Sequence, residues 1–165
     1  AFDDEAGNSF AGIVSSETWN FNIDDYAGPD LTEPVVDTLS PVDDGTNIDP
    51  SSNLIITFDE SIDLTSGNID IYQANGTIFE AMDVAGVGVT GNGTTTVTIN
   101  PSTNLEDSSS YYILIANGVI ADEAGNTFDG LVANTEWNFT TGDYTGPIVS
   151  SFSPVDDATG VAITE

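Results

Sequence analysis

The side chains with chemistry to offer are carboxylates, and they come in recurring patterns. Asp4-Glu5-Ala6-Gly7-Asn8 returns as Asp122-Glu123-Ala124-Gly125-Asn126. Ser40-Pro41-Val42-Asp43-Asp44 returns as Ser153-Pro154-Val155-Asp156-Asp157. Asp24 and Asp25, and again Asp143, stand just before a linker tyrosine. Carboxylates, carbonyls and Asn side chains are the donors of a hard cation, and Ca²⁺ takes about six to eight such oxygens. The candidate metal ligands are therefore Asp4, Glu5, Asp25, Asp43, Asp44, Asp122, Glu123, Asn126, Asp143, Asp156 and Asp157. They are expected to converge at domain junctions. Each also has a plainer reading. Gly125-Asn126 is an ordinary turn, and Asp43 and Asp44 are turn residues whose side chains bond nearby backbone.

What the chain lacks sharpens this. It has 28 acidic residues and no Lys, Arg or His, for a formal net charge of −28. Clustered carboxylates must face water, accept hydrogen bonds or bind a cation from solution, because no side chain can pair with them. Self-repulsion opposes compaction unless counter-ions are present, so a medium rich in divalent ions or salt is expected. An acidic chain of this kind also fits a halophile, which would respond to bulk salt with little preference for Ca²⁺. Without His, Cys or Lys there is no catalytic triad, cysteine nucleophile, Schiff base or zinc site of the usual ligands. Nucleic acid and anionic membranes would be repelled. Paired carboxylates leave glycoside hydrolysis open, but acidic pairs are too common here to signal it. The chain is expected to be no enzyme. It has neither disulfides nor Lys–Asn cross-links, so stability must come from its core and from ions.

The elements that position these groups repeat with them. Residues 4–29 match residues 122–147 at 15 of 26 positions. The repeat is 113 to 118 residues long, with five extra residues in the first linker, Asp30 to Pro34. We expect the C-terminal strands of a preceding repeat at 1–29, a complete repeat at 33–144, and the first strand region of a following repeat at 147–165. Ala1 reads as mid-domain, so the sequence is expected to be a window on a longer tandem array. Within 33–144 the hydrophobic period is 2, as in Leu54, Ile56, Phe58 or Tyr111, Ile113, Ile115. Strands are expected near 35–39, 53–59, 68–73, 77–82, 94–100, 110–117 and 134–141, with a tight hairpin at Ala74-Asn75-Gly76. Short strands, regular turns and no helical stretch indicate an antiparallel β-sandwich. Trp137 and Trp19 are expected as core anchors rather than sugar platforms. Tyr111 or Tyr112 is placed for a tyrosine-corner hydrogen bond. Asp59, Glu60 and Asp63 close the second expected strand, as a solvated loop or a surface ion site.

In this order, Ser-Pro-Val-Asp-Asp-Gly (40–45), Leu-Ile-Ile-Thr-Phe-Asp-Glu (54–60), Leu105 followed by Tyr112, Asp-Glu-Ala-Gly-Asn (122–126) and Trp-Asn-Phe-Thr (137–140) resemble the bacterial Ig-like domains. The resemblance spans about 34 to 144 and recurs in both flanking pieces. It implies a Greek-key Ig-like sandwich, set in the calcium-stiffened tandem arrays of giant adhesins and surface-layer proteins. The implied partners are neighbouring Ig-like repeats of the same chain or of adjacent subunits, and the implied location is the cell surface. The leading functional expectation is structural, with spacing and stiffness as its output. Alternatives are a subunit that self-assembles by strand complementation, and a glycan- or protein-binding sandwich.

Overall fold

Apolar–polar alternation punctuated by Gly, Pro, Asn and Asp produces ten short strands. The computed structural model describes residues 5–7 and 29–162. The chain divides into two compact units, Ala1–Leu31 and Thr32–Glu165. In the second unit the strands are β1 (Val36–Ser40), β2 (Gly45–Ile48), β3 (Leu54–Leu64), β4 (Asn68–Gln73), β5 (Ile78–Asp83), β6 (Val89–Thr90), β7 (Thr94–Ile99), β8 (Ser110–Ile115), β9 (Ile120–Asp122) and β10 (Asn138–Thr141). There is no helix among the described residues, and so none long and apolar enough to cross a membrane.

The strands form two five-stranded sheets. One has the order β1-β3-β7-β6 with β9 also on β3; the other has the order β2-β10-β8-β4-β5. All pairs are antiparallel except β10 with β2. Sequence neighbours β3 and β4, and β7 and β8, lie in opposite sheets, as in a Greek key. The chain changes sheet between β1 and β2 through the Ser40–Asp44 turn, closed by Gly45 N–H on the Val42 carbonyl at 3.0 Å. This is the Ig-like sandwich expected.

Alternation fills the space between the sheets. Leu54, Ile56 and Phe58 of β3 are buried against Ile69 and Ile71 of β4, Val97 and Ile99 of β7, and Ile113 and Ile115 of β8. Trp137 is 0% exposed and Phe139 1%, so both face inward as expected. Burying a large apolar side chain contributes about 1.5–3 kcal/mol, provided any polar atom it carries finds a partner. Trp137 meets that condition, because Nε1–H donates to the Pro41 carbonyl at 2.8 Å.

Three strands escape the alternation rule: β2, β6 and β9 are only 4, 2 and 3 residues long. The strand expected at 53–59 runs on to Leu64, so Asp59, Glu60 and Asp63 lie in a strand and not in a loop. A register shift between Thr57 and Ile62 lets β3 exchange its partner β1 for β9. At that shift Asp59 Oδ1 accepts the Val35 N–H at 2.8 Å. The last strand begins at Asn138 and not near 134. The Glu136 carboxylate accepts the N–H groups of Val132 and Ala133, both at 2.6 Å, which folds that stretch into a turn. The expected hairpin joins β4 to β5. Its only left-handed residue is Gly76 (φ 85°), while Asn75 Oδ1 accepts the Thr77 N–H at 2.8 Å.

Candidate functional site

The Asp122–Asn126 loop follows β9, whose pairing with β3 places Asp122 opposite Ile62. Asp122 is 3% exposed. Its Oδ1 accepts the Asn126 N–H at 2.7 Å and its Oδ2 accepts the Asn126 side-chain amide at 2.6 Å. Burial pushes this carboxyl's pKa up, but the Asn126 amide and the N–H groups of Asn126, Gly125 and Ala124 together outweigh it. The carboxyl is held below its ordinary range. Asp122 is thus kept ionised by its own loop. Glu123 is exposed on that loop, and Gly125 takes φ 93°. In the same unit a second carboxylate stands near: oxygens of Glu60 and Asp122 lie within 4.8 Å of each other. The two are far apart in sequence, and only the pairing of β9 with β3 joins them.

Asp43 serves the other turn. Its Oδ1 accepts both the backbone N–H and the side-chain amide of Asn138, at 2.9 and 3.0 Å. Next to it Trp137 reaches Pro41. Two sequence motifs, Ser-Pro-Val-Asp-Asp and Trp-Asn-Phe, are therefore interlocking halves of one contact. Asp44 is exposed with φ 59°. The structure does not bring this turn to the Asp122 loop. Ser40 sits opposite Ile55 and Asp122 opposite Ile62 along the same strand, which puts about 20 Å between them at the usual rise per residue.

The remaining candidates that are described lie outside the strands. Asp143 is exposed and accepts the Thr145 N–H at 3.2 Å. Asp156 and Asp157 are exposed, and Asp156 Oδ1 accepts the Asp157 N–H at 3.1 Å. Asp4 and Asp25 lie outside the described residues, as do Asp24, Asn8 and Trp19. Glu5 is exposed in a turn.

Where both copies of a motif are described, they fold alike. Asp157 repeats the φ of Asp44 at 59°, and Ala158 N–H bonds Val155 O at 3.1 Å as Gly45 N–H bonds Val42 O. Glu5-Ala6 form a turn followed by Gly7 at φ 80°, matching Glu123-Ala124 and Gly125.

A shallow cleft of about 520 Å³ lies where β10 ends, lined by Asp49, Glu106, Asp107 and Tyr144 among others. The backbone N–H of Ser51, and then its hydroxyl, hold the Asp49 carboxyl below its usual range. Thr145 hydroxyl donates to Asp107. The tyrosine corner is Tyr111: its hydroxyl accepts the Glu106 N–H at 2.8 Å. Tyr112 instead stacks on Tyr72 across the sheet, with ring centroids 5.0 Å apart.

A family profile described as bacterial Ig-like domain matches residues 30–141. No curated protein sequence matches the chain significantly. Among solved structures it is similar to CopC from Methylosinus trichosporium OB3b, at 12% identity and a TM-score of 0.50, over 70% of this chain and 99% of that one. It is also similar to the S-layer protein rSbsC(31-844), at 21% identity and a TM-score of 0.42, over 73% of this chain and 15% of that one. The likeness to CopC is one of fold.

Proposed function

The chain belongs to the bacterial Ig-like domain family, and on that premise we propose that it is a structural repeat module of a large extracellular adhesin or surface filament. Its work is to space and stiffen an array, with calcium at the domain junctions, and it catalyses no reaction. The observation that carries this reading is the recurrence of both turn motifs in the sequence on either side of the sandwich, with like backbone conformation at the positions of both copies that are described. A sandwich flanked by pieces of the same sandwich is the pattern of a tandem array. The absence of any cationic side chain supports a role for calcium. Within the sandwich, Glu60 and Asp122 bring carboxylate oxygens within 4.8 Å of each other, the kind of donor a hard cation takes. The test is small-angle scattering of a chain carrying two complete copies. The maximum dimension should grow by about one sandwich per copy, and should be sharper in Ca²⁺ than in EDTA. A compact particle in both media would overturn the array reading.

The alternative, assembly in trans by strand complementation, draws on the tail. Ile148, Val149, Phe152 and Val155 are 88%, 69%, 63% and 70% exposed. They stand where Val35, Val36, Leu39 and Val42 stand relative to the repeated turn, and there Val36 and Leu39 pack on the core. A strand with this pattern needs a sheet to cover it. Sedimentation over a range of concentrations separates the two readings. A dimer that dissociates on Phe152→Asp favours assembly in trans, and a monomer throughout favours completion along one chain.

A further inference from the structure

Three Asn-Gly pairs stand in turns, at 75–76, 92–93 and 117–118. All three asparagines are exposed, and all three glycine N–H groups donate to a backbone carbonyl. What differs is where the partners lie. Asn92 Oδ1 accepts the Leu64 N–H at 2.7 Å, and Gly93 N–H donates to the Ile62 carbonyl at 2.8 Å, so this pair is pinned to the end of β3. Asn117 donates its side-chain amide to Asp129 at 3.1 Å, and Gly118 N–H donates to the Phe128 carbonyl at 3.1 Å, so this pair is pinned to the segment after β9. Asn75 Oδ1 accepts the Thr77 N–H at 2.8 Å, and Gly76 N–H donates to the Gln73 carbonyl at 2.9 Å. Both of these bonds lie within the hairpin turn itself. The neighbouring Ala74 carries the hold on β8, through its N–H on the Ser110 carbonyl at 2.8 Å.

We propose that Asn75 is a site of spontaneous modification, in which water converts its amide to a carboxylate through a cyclic imide, ahead of Asn92 and Asn117. The Gly76 nitrogen gives its proton to hydroxide and bonds Asn75 Cγ. The Cγ–Nδ2 bond breaks, and ammonia leaves with a proton taken from water. A second water opens the imide. Opening at Cγ gives aspartate; opening at the main-chain carbonyl gives isoaspartate, with the chain rerouted through Cγ. Glycine leaves the attacking nitrogen unhindered. A Cβ at Gly76 or at Gly93 would meet nothing within 4 Å, so space does not choose between those two pairs. The tethers choose. Asn75 and Gly76 reach the cyclising geometry by loosening bonds inside one turn, and exposed turns open at little free energy. Asn92 and Asn117 must first let go of residues 24 and more positions away or of another segment. The product matters to the fold, because this turn joins β4 to β5 at the edge of its sheet. Isoaspartate lengthens the main chain there by a methylene and adds a carboxylate to a net charge already at −28.

The experiment follows the full chain by peptide mass spectrometry during incubation in mildly alkaline buffer, once folded and once in concentrated urea. A glutamate-specific protease cuts after Glu60, Glu80, Glu106 and Glu123, so each Asn-Gly pair falls in its own peptide. The readout is the mass gain of amide-to-acid conversion, with the later-eluting or earlier-eluting isoaspartate form as its companion. In the folded chain Asn75 should convert at least about tenfold faster than either other site, because two tethering hydrogen bonds must be released there first. In urea the three rates should draw together, since the tethers are gone. Asp129→Ala should speed conversion at Asn117 and leave Asn75 unchanged. Conversion of Asn92 or Asn117 as fast as Asn75 in the folded chain would overturn the proposal. The same spread of rates in urea would overturn it too, by making the order a property of local sequence. An Asn117 that ignores Asp129→Ala would show that the side-chain tether does not protect it.

Discussion

Asp43 and Asp122 each close a turn by taking two donors from one asparagine, Asn138 and Asn126 respectively. The two pairs differ in reach. Asn126 is four residues from Asp122, so that turn is visible in the motif. Asn138 is 95 residues from Asp43, so nothing local in the sequence announces the pair. Asp43→Ala should cost about 1–2 kcal/mol in urea unfolding, because it strands two donors at the start of β10. Asp43→Asn keeps an acceptor and should cost less; equal costs would show that the contact is idle. The pH dependence of Asp122 and Asp70 should have opposite signs. The Asp122 carboxyl is depressed in the fold, so its stabilisation is full above the unfolded pKa and is lost as pH falls through the folded one. The Asp70 carboxyl is raised by burial, so its penalty is absent in acid and appears as pH rises through the folded pKa. Asp70→Asn should therefore raise the melting temperature at neutral pH, and the gain should vanish in acid. Asp122→Ala should lower the melting temperature at neutral pH, and the loss should shrink in acid.

At the scale of elements, two glycines with positive φ should respond very differently to a methyl group. A Cβ added at Gly76 (φ 85°) would have nothing within 4 Å, whereas one added at Gly91 (φ 120°) would meet the Thr96 carbonyl at 2.0 Å. Gly76→Ala should cost about 1–2 kcal/mol, the left-handed penalty alone. Gly91→Ala must also push β6 from β7 and should cost clearly more; similar unfolding midpoints would contradict this. Both positions read simply as turns in the sequence. Strands of six residues with a buried face, such as β4, β7 and β8, were legible because alternation over that length is unambiguous. β2 and β9 were not, because they are defined by their partners. β2 takes its place from β10, and β9 from the far end of β3. The same reason hid the approach of Glu60 to Asp122. The separation of the Asp43 turn from the Asp122 loop was also illegible, since motif order says nothing of which end of a sandwich a loop occupies.

At the scale of the whole molecule, charge and calcium must be told apart, because a net charge of −28 makes any salt stabilising. Raising monovalent salt from about 0.01 M to 0.15 M shortens the screening length from about 30 Å to 8 Å. Self-repulsion then falls everywhere, and the melting temperature should rise with no site involved. A site adds something different. Extracellular modules bind Ca²⁺ with Kd of about 10⁻⁴–10⁻³ M, and free ion at about 100 times Kd adds about 2.7 kcal/mol per site. Mg²⁺ carries the same charge but demands a small octahedral shell and gives up its water reluctantly. MgCl₂ at equal concentration is therefore the control for diffuse divalent screening, and NaCl at equal ionic strength the control for monovalent screening. If the Glu60–Asp122 pair holds calcium, melting in CaCl₂ should exceed both controls. Glu60→Gln should then abolish the excess while leaving the response to NaCl intact. Equal melting in Ca²⁺ and Mg²⁺, unmoved by Glu60→Gln, would leave a polyanion stabilised by bulk ions, as a halophile's surface is, with no calcium site in the sandwich.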